Sequence, residues 1–234
     1  MHFHGPERVD LDDLHEINQT FLNLLRSPAV GPTLVSDVPE ALAARLRNLH
    51  DTERRRLARS PFLLCSCRED DVEFWQAMLQ PGASADLFAG DTGTSPDFLR
   101  FLSGIIAFTW QLSRKNPFVA RLVTGATTAW CEEIAAQPLL RLIDVASRNS
   151  DTLRLRLVGN DDFWKQLLRN GVSEDALVRR AARVSGLQRI LLATRTPTRR
   201  RTRPANRILR PQKSHERSGS WSTRSRRTST RATR

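Results

Sequence analysis

Residues 70–80 read DDVEFWQAMLQ and residues 161–171 read DDFWKQLLRNG. The chain has only five tryptophans, and two of them sit in these similar frames. Each stretch opens on paired aspartates, which cap free helix amides. Each continues with Phe-Trp and then apolar residues three and four positions beyond the tryptophan: Met78 and Leu79 in one copy, Leu167 and Leu168 in the other. Both therefore read as capped amphipathic helices. In front of each lies a short apolar stretch. Leu63, Cys65 and Cys67 match Leu153, Leu155 and Leu157 at an offset of 90, whereas Phe74-Trp75 match Phe163-Trp164 at 89, which implies one residue gained or lost between Asp71 and Phe74. The pattern predicts an internal duplication in which each copy is a helix hairpin, a short strand, an acidic cap and a Phe-Trp helix. The competing explanation is chance similarity between two capped amphipathic helices.

Working outward, Leu11, Leu14, Ile17, Phe21, Leu24 and Leu25 recur at helical spacing after Asp10, predicting a first helix that ends near Ser27-Pro28. Further helices are expected from Pro39 through Leu49 and from Asp51 to about Ala58. Phe62 to Cys67 has no helical period and reads as a short strand. Residues 81–94 hold proline, glycine and small polar residues and form the best candidate connector. Beyond it, Ser95-Pro96 opens a strongly apolar helix through Leu112, expected to be the most buried element. One helix is predicted from Pro117 to Ala136 and another from Pro138 to Ser147. Leu153, Leu155 and Leu157 alternate with Arg154 and Arg156, the period of a half-exposed strand. The expected fold class is mainly α: two related helical units, 1–80 and 95–194, joined by 81–94, with a disordered arginine-rich tail over 195–234.

The formal charge is +12, but it is unevenly placed. Residues 195–234 hold 14 Lys and Arg against the single Glu216, so the tail carries +13 and the body −1. Arg, Ser, Thr and Pro dominate the tail, and too little apolar surface is present to order it. Such a segment neutralises nucleic-acid phosphates in a salt-sensitive way. The same composition also arises from out-of-frame reading of a gene rich in G and C, and the nucleotide sequence around codon 194 distinguishes the two. Neither a signal core nor a membrane-length apolar run occurs, and the three cysteines make no even framework, so a cytosolic protein with reduced thiols and no membrane partner is expected.

The residues Asp13 to Leu25 (DLHEINQTFLNLL), Leu42 to Arg68 (LAARLRNLHDTERRRLARSPFLLCSCR) and, in the second half, Phe118 to Leu157 together resemble the FlhD family of bacterial flagellar transcriptional regulators. The resemblance implies a mainly helical protein that dimerises and acts with a partner subunit on promoter DNA. This chain departs from the family in carrying two copies of the unit, so a tandem copy is expected to imitate the homodimer within one chain. The basic tail has no counterpart in the family.

No catalytic arrangement emerges. His15 and His50 fall at polar positions of predicted helices, the acidic pairs sit mostly in first helical turns where capping explains them, and Gly90-Asp-Thr-Gly93 lacks the lysine of a phosphate loop. A non-enzymatic protein is expected, with no cofactor, no metal and no small-molecule substrate. His2 and His4 are a weak metal candidate at the N-terminus, and Cys65 and Cys67 read as a small apolar pair on a buried strand. Phe74, Trp75, Phe163 and Trp164 are the candidates for a partner interface or for core. Arg179, Arg180 and Arg183 lie on a capped helix, and Arg199, Arg200, Arg201 and Arg203 in the tail. These are the candidate nucleic-acid contacts. Ala182 and Gly186 have the small-residue spacing of a helix-turn-helix corner, against the plainer reading of a single helix with a basic face. The function expected is that of a transcriptional co-regulator working through dimerisation or a protein partner, with DNA as a further partner. The alternative is a helical adaptor for motility or secretion with no nucleic-acid role.

Overall fold

The computed structural model describes residues 5–80, 95–149 and 151–193. The proposed connector 81–94, the tail residues Arg199, Arg200, Arg201 and Arg203, and His2 and His4 lie outside that range. The described chain is mainly helical. In the first half α1 (Arg8–Leu24), α2 (Gly31–Leu34), α3 (Glu40–Arg47) and α4 (Asp51–Ala58) precede β1 (Cys65–Ser66) and α5 (Val72–Leu79). The second half repeats the order: α6 (Pro96–Lys115), α7 (Pro117–Thr124), α8 (Thr128–Ala136), α9 (Leu139–Ser147), β2 (Arg154–Leu155) and α10 (Asp161–Asn170). A last helix, α11 (Ala176–Ala193), follows.

The repeat is metric as well as ordinal. Helices α6, α8 and α9 each start 88 residues after α1, α3 and α4, and from the strand onward the spacing is 89. Asp71 and Asn160, 89 apart, each accept the backbone N–H of the phenylalanine three residues on, at 3.1 and 3.0 Å. The only non-glycine residues with positive φ among those described, Arg68 (58°) and Leu157 (49°), are also 89 apart. So are the carbonyls that receive the tryptophan N–H groups: Trp75 Nε1 donates to Cys67 O at 3.1 Å and Trp164 Nε1 to Arg156 O at 2.8 Å. The expected insertion between Asp71 and Phe74 is therefore absent. Hydrophobic letters alone had aligned the strands one residue out of step. The single-residue shift instead falls ahead of β2, where α9 is nine residues long against eight in α4.

The halves meet about a local twofold axis. β1 and β2 pair antiparallel, Cys65 with Leu155 and Ser66 with Arg154. These are the reciprocal partners that an exchange of equivalent residues demands. Around this bridge each half sends its Phe-Trp helix into the other. Trp75 of α5 meets Trp130 of α8 edge-on with centroids 5.7 Å apart, and α10 packs against α3. Arg141 of α9 donates to Leu79 O at the end of α5, and Arg56 of α4 donates to Val172 O just past α10 at 3.1 Å. α1 and α6 pack against each other, with the rings of Phe21 and Phe101 stacked at 6.1 Å. Residues on both sides of 81–94 thus line one hydrophobic core. All described residues belong to one compact unit.

Two predicted elements are corrected. The single helix expected over Pro117 to Ala136 is two, because Gly125 adopts φ 69° and ends α7, after which Thr127 caps α8 by accepting Trp130 N–H. The strand expected over 153–157 is only two residues long and is not half-exposed throughout: Arg156 is 4% exposed. Within the segment 173–194, Ala176–Ala193 form one continuous helix with no corner at Gly186. Gly186 lies in a buried contact instead, where a β-carbon would come within 2.9 Å of the Phe62 ring, itself packed on Phe163.

Gly125 and Gly159 separate conformational strain from steric overlap. Both have positive φ, but a β-carbon at Gly125 would lie 2.3 Å from Ile190 Cγ2, whereas at Gly159 it meets nothing. Gly159→Ala is expected to cost ~1 kcal/mol in urea unfolding and Gly125→Ala ~2–4 kcal/mol. Equal losses would show that Ile190 yields without cost.

Candidate functional site

The aromatic candidates are mostly core. Trp75, Phe163 and Trp164 are buried, and each Phe-Trp pair is edge-to-face, with centroids 5.6 Å apart in the first copy and 5.3 Å in the second. Phe74 is half-buried beneath the Arg68 guanidinium, 4.2 Å from its ring centroid. These side chains anchor the fold and offer no open partner groove.

The polar centre of the molecule sits beside the strand bridge, and sequence reading missed it. Arg156 and Glu69 are both 5% exposed by side chain and pair at 2.7 Å. Arg156 also donates from Nε to Leu63 O at 2.5 Å, from Nη2 to Cys65 O at 2.6 Å and from Nη1 to Thr124 O. The other Glu69 oxygen accepts from Ser66 Oγ at 2.7 Å. Asn18 does similar work in the first half, donating to Ala58 O and Phe62 O and accepting Leu64 N–H at 2.9 Å. Every group in this network serves a backbone or a charge, so it is built to hold chain segments together. Alternation assigned Arg156 to solvent. The complementary signal was the acidic residue next to the first strand, which only has meaning once the two strands are adjacent.

Cys65, Cys67 and Cys131 are free thiols inside this core. Burial pushes the Cys65 thiol up to about 12 and Cys131 to about 11, and raises Cys67 as well. Such thiols stay protonated and poorly nucleophilic at neutral pH.

The basic candidates divide. Arg180 is exposed. Arg179 is half-buried and donates from Nη1 to Ser173 O and Glu174 O at 2.7 and 2.6 Å. Arg183, also half-buried, donates from Nη2 to Arg56 O at 2.8 Å, tying α11 to α4. Its Nε has no hydrogen-bond partner. Partial burial and the neighbouring charges of Arg179 and Arg59 hold its pKa below the usual arginine value. Burial, followed by Arg183 and Arg59, likewise lowers His15 on α1. Two residues that sequence reading left aside, His15 and Arg59, thus join the α11 arginines in one cationic cluster. Its members lie 168 positions apart at the extremes, so no local pattern announces it.

A groove of about 670 Å³ runs between α1 and α6, with Ile17, Phe101, Ile105 and Phe108 among its apolar lining. Asp13, Glu16 and Asp97 stand among its polar residues, and Arg100 lies 3.3 Å from Asp97. No helix among the described residues is long and apolar enough to cross a membrane. No protein-family model, curated protein or solved structure matches the chain.

The buried pair and the thiols give two measurable consequences. Arg156→Ala is expected to cost ~3–5 kcal/mol in chemical denaturation, since it strands Glu69 and several carbonyls. Arg156→Lys should recover less than half of that loss, because an ammonium cannot span the same acceptors. Full recovery by lysine would mean that charge alone matters. Each thiol held neutral in the fold but free to ionise near pH 9 when unfolded contributes stability that is complete below that pH and falls as pH rises above it. The chain has no tyrosine and only three lysines, so little else titrates in this window. The urea midpoint should be flat to about pH 8.5 and then fall, each such thiol costing on the order of 1–2 kcal/mol at about pH 10.5. Cys65→Ala should flatten the fall. An unchanged slope in that variant would acquit Cys65.

Proposed function

We propose that this chain is a non-enzymatic, FlhD-like transcriptional co-regulator in which the two halves take the places of two subunits of a homodimer. Contact with DNA comes from basic residues of α11 and of the segment after it. The observation that carries the reading is the reciprocal strand bridge, Cys65 with Leu155 and Ser66 with Arg154, around which equivalent residues recur 89 positions apart. A reciprocal bridge of this kind is what an isologous dimer interface becomes when its two copies are joined in one polypeptide. The mutual insertion of the Phe-Trp helices supports it further, since neither half completes its core alone. Buried, protonated cysteines and a polar network committed to backbone carbonyls favour a binding protein over a catalyst.

A second reading is a helical adaptor without a nucleic-acid role, and the groove between α1 and α6 favours it, because apolar residues edged by carboxylates suit a cationic amphipathic helix.

Retention of the full chain and of a chain ending at Thr194 on immobilised duplex DNA, eluted with a salt gradient, separates these readings. The regulator reading expects the full chain to be held and to elute at higher salt than the shorter one. Passage of both chains without retention would remove direct DNA contact and leave the adaptor.

A further inference from the structure

We propose that Arg59, Arg179 and Arg183, with His15 beside them, form a phosphate-contact site on the folded body that grips the backbone of duplex DNA independently of the basic C-terminal residues. The proposal deepens the regulator reading and rests on it. The site is composite. Arg179 and Arg183 stand one turn apart on α11. The Arg183–Arg56 carbonyl bond at 2.8 Å fixes that turn against the end of α4, where Arg59 is exposed to solvent. α1 packs against α4 and supplies His15.

Placing these cations together works against the fold. The body carries a net charge of −1, so its average surface does not favour such clustering. The charges of Arg59 and Arg183 disfavour a proton on His15, and those of Arg59 and Arg179 disfavour the charge on Arg183. Asp12 opposes these effects at His15 and lies 3.9 Å from Arg8, and Glu174 lies 3.6 Å from Arg56. A phosphodiester brings acceptor oxygens matched to guanidinium forks, and its negative charge relieves the mutual repulsion. The cluster also joins residues of the first half to α11, so only the assembled core creates it.

The test uses the full chain and a labelled duplex of about 20 base pairs of arbitrary sequence, with binding followed by anisotropy between about 50 and 200 mM salt. Arg59→Gln and Arg183→Gln are each expected to weaken binding and to reduce the slope of log K against log salt by about one. Arg183→Lys should restore the slope, which a purely structural role of the fork would not do. Arg114→Gln, an exposed cation on α6 outside the cluster, should leave it unchanged. Replacing Arg199, Arg200 and Arg201 together by Gln should lower the slope additively with Arg59→Gln. If that tail variant lowers the slope while Arg59→Gln and Arg183→Gln do not, the composite site is wrong and the regulator reading stands. If the unaltered chain does not bind the duplex, both fail.

Discussion

The buried pairing of Arg156 with Glu69 is the constraint around which the rest of the structure is arranged. An arginine at 4% exposure is tolerable only when its charge is matched and its N–H groups are used. Here one guanidinium meets a carboxylate and three carbonyls, from Leu63, Cys65 and Thr124. Those carbonyls belong to the strand of the first half and the residues just ahead of it, and to the end of α7 in the second. Meeting all of them requires β1, β2 and the α7 terminus to be in place together. Gly125 is part of the same requirement: its missing side chain leaves room for Arg156 Nη1, which would lie 3.1 Å from a β-carbon there, and for Ile190 of α11.

The two halves repeat one arrangement, and the symmetry is broken where polar chemistry is concentrated. The tryptophan N–H groups, the helix caps and the left-handed residues Arg68 and Leu157 are equivalent in the two halves. Yet Arg156 stands where the first half has Cys67, and Glu69 where the second has Val158. A strictly symmetric bridge would carry this pair twice, once on each side of the axis. One arginine and one glutamate face each other across non-equivalent positions, and the reciprocal pair is missing because Cys67 and Val158 stand in its place. The joined halves thus carry the ion pair once.

Much of the helical content was legible from apolar spacing, because each helix turns a stripe of Leu, Ile, Phe or Trp toward the core. α4 was read at its observed bounds, and α1, α3, α5, α6, α9 and α10 within a few residues. The break at Gly125 was missed because Ala126 and Trp130 continue the apolar pattern across it, and only the left-handed glycine and the Thr127 cap reveal the end of one helix and the start of another. The strands were overestimated because alternating leucines persist beyond the two residues that pair. The α11 arginines were visible, whereas their grouping with His15 and Arg59 was not, since His15 is an ordinary polar residue on α1 and Arg59 another at the end of α4.

The sequence by itself determined a mainly α chain, the two Phe-Trp helices and their acidic or amide caps, because periodicity and capping act over a few residues. Tertiary structure alone decided the 89-residue register, the burial of Arg156, the crossing of each Phe-Trp helix into the opposite half and the convergence of His15, Arg59 and Arg183. Each of these depends on groups brought together from distant parts of the chain. Their stabilising or opposing charges exist only after the strands have paired and the core has closed.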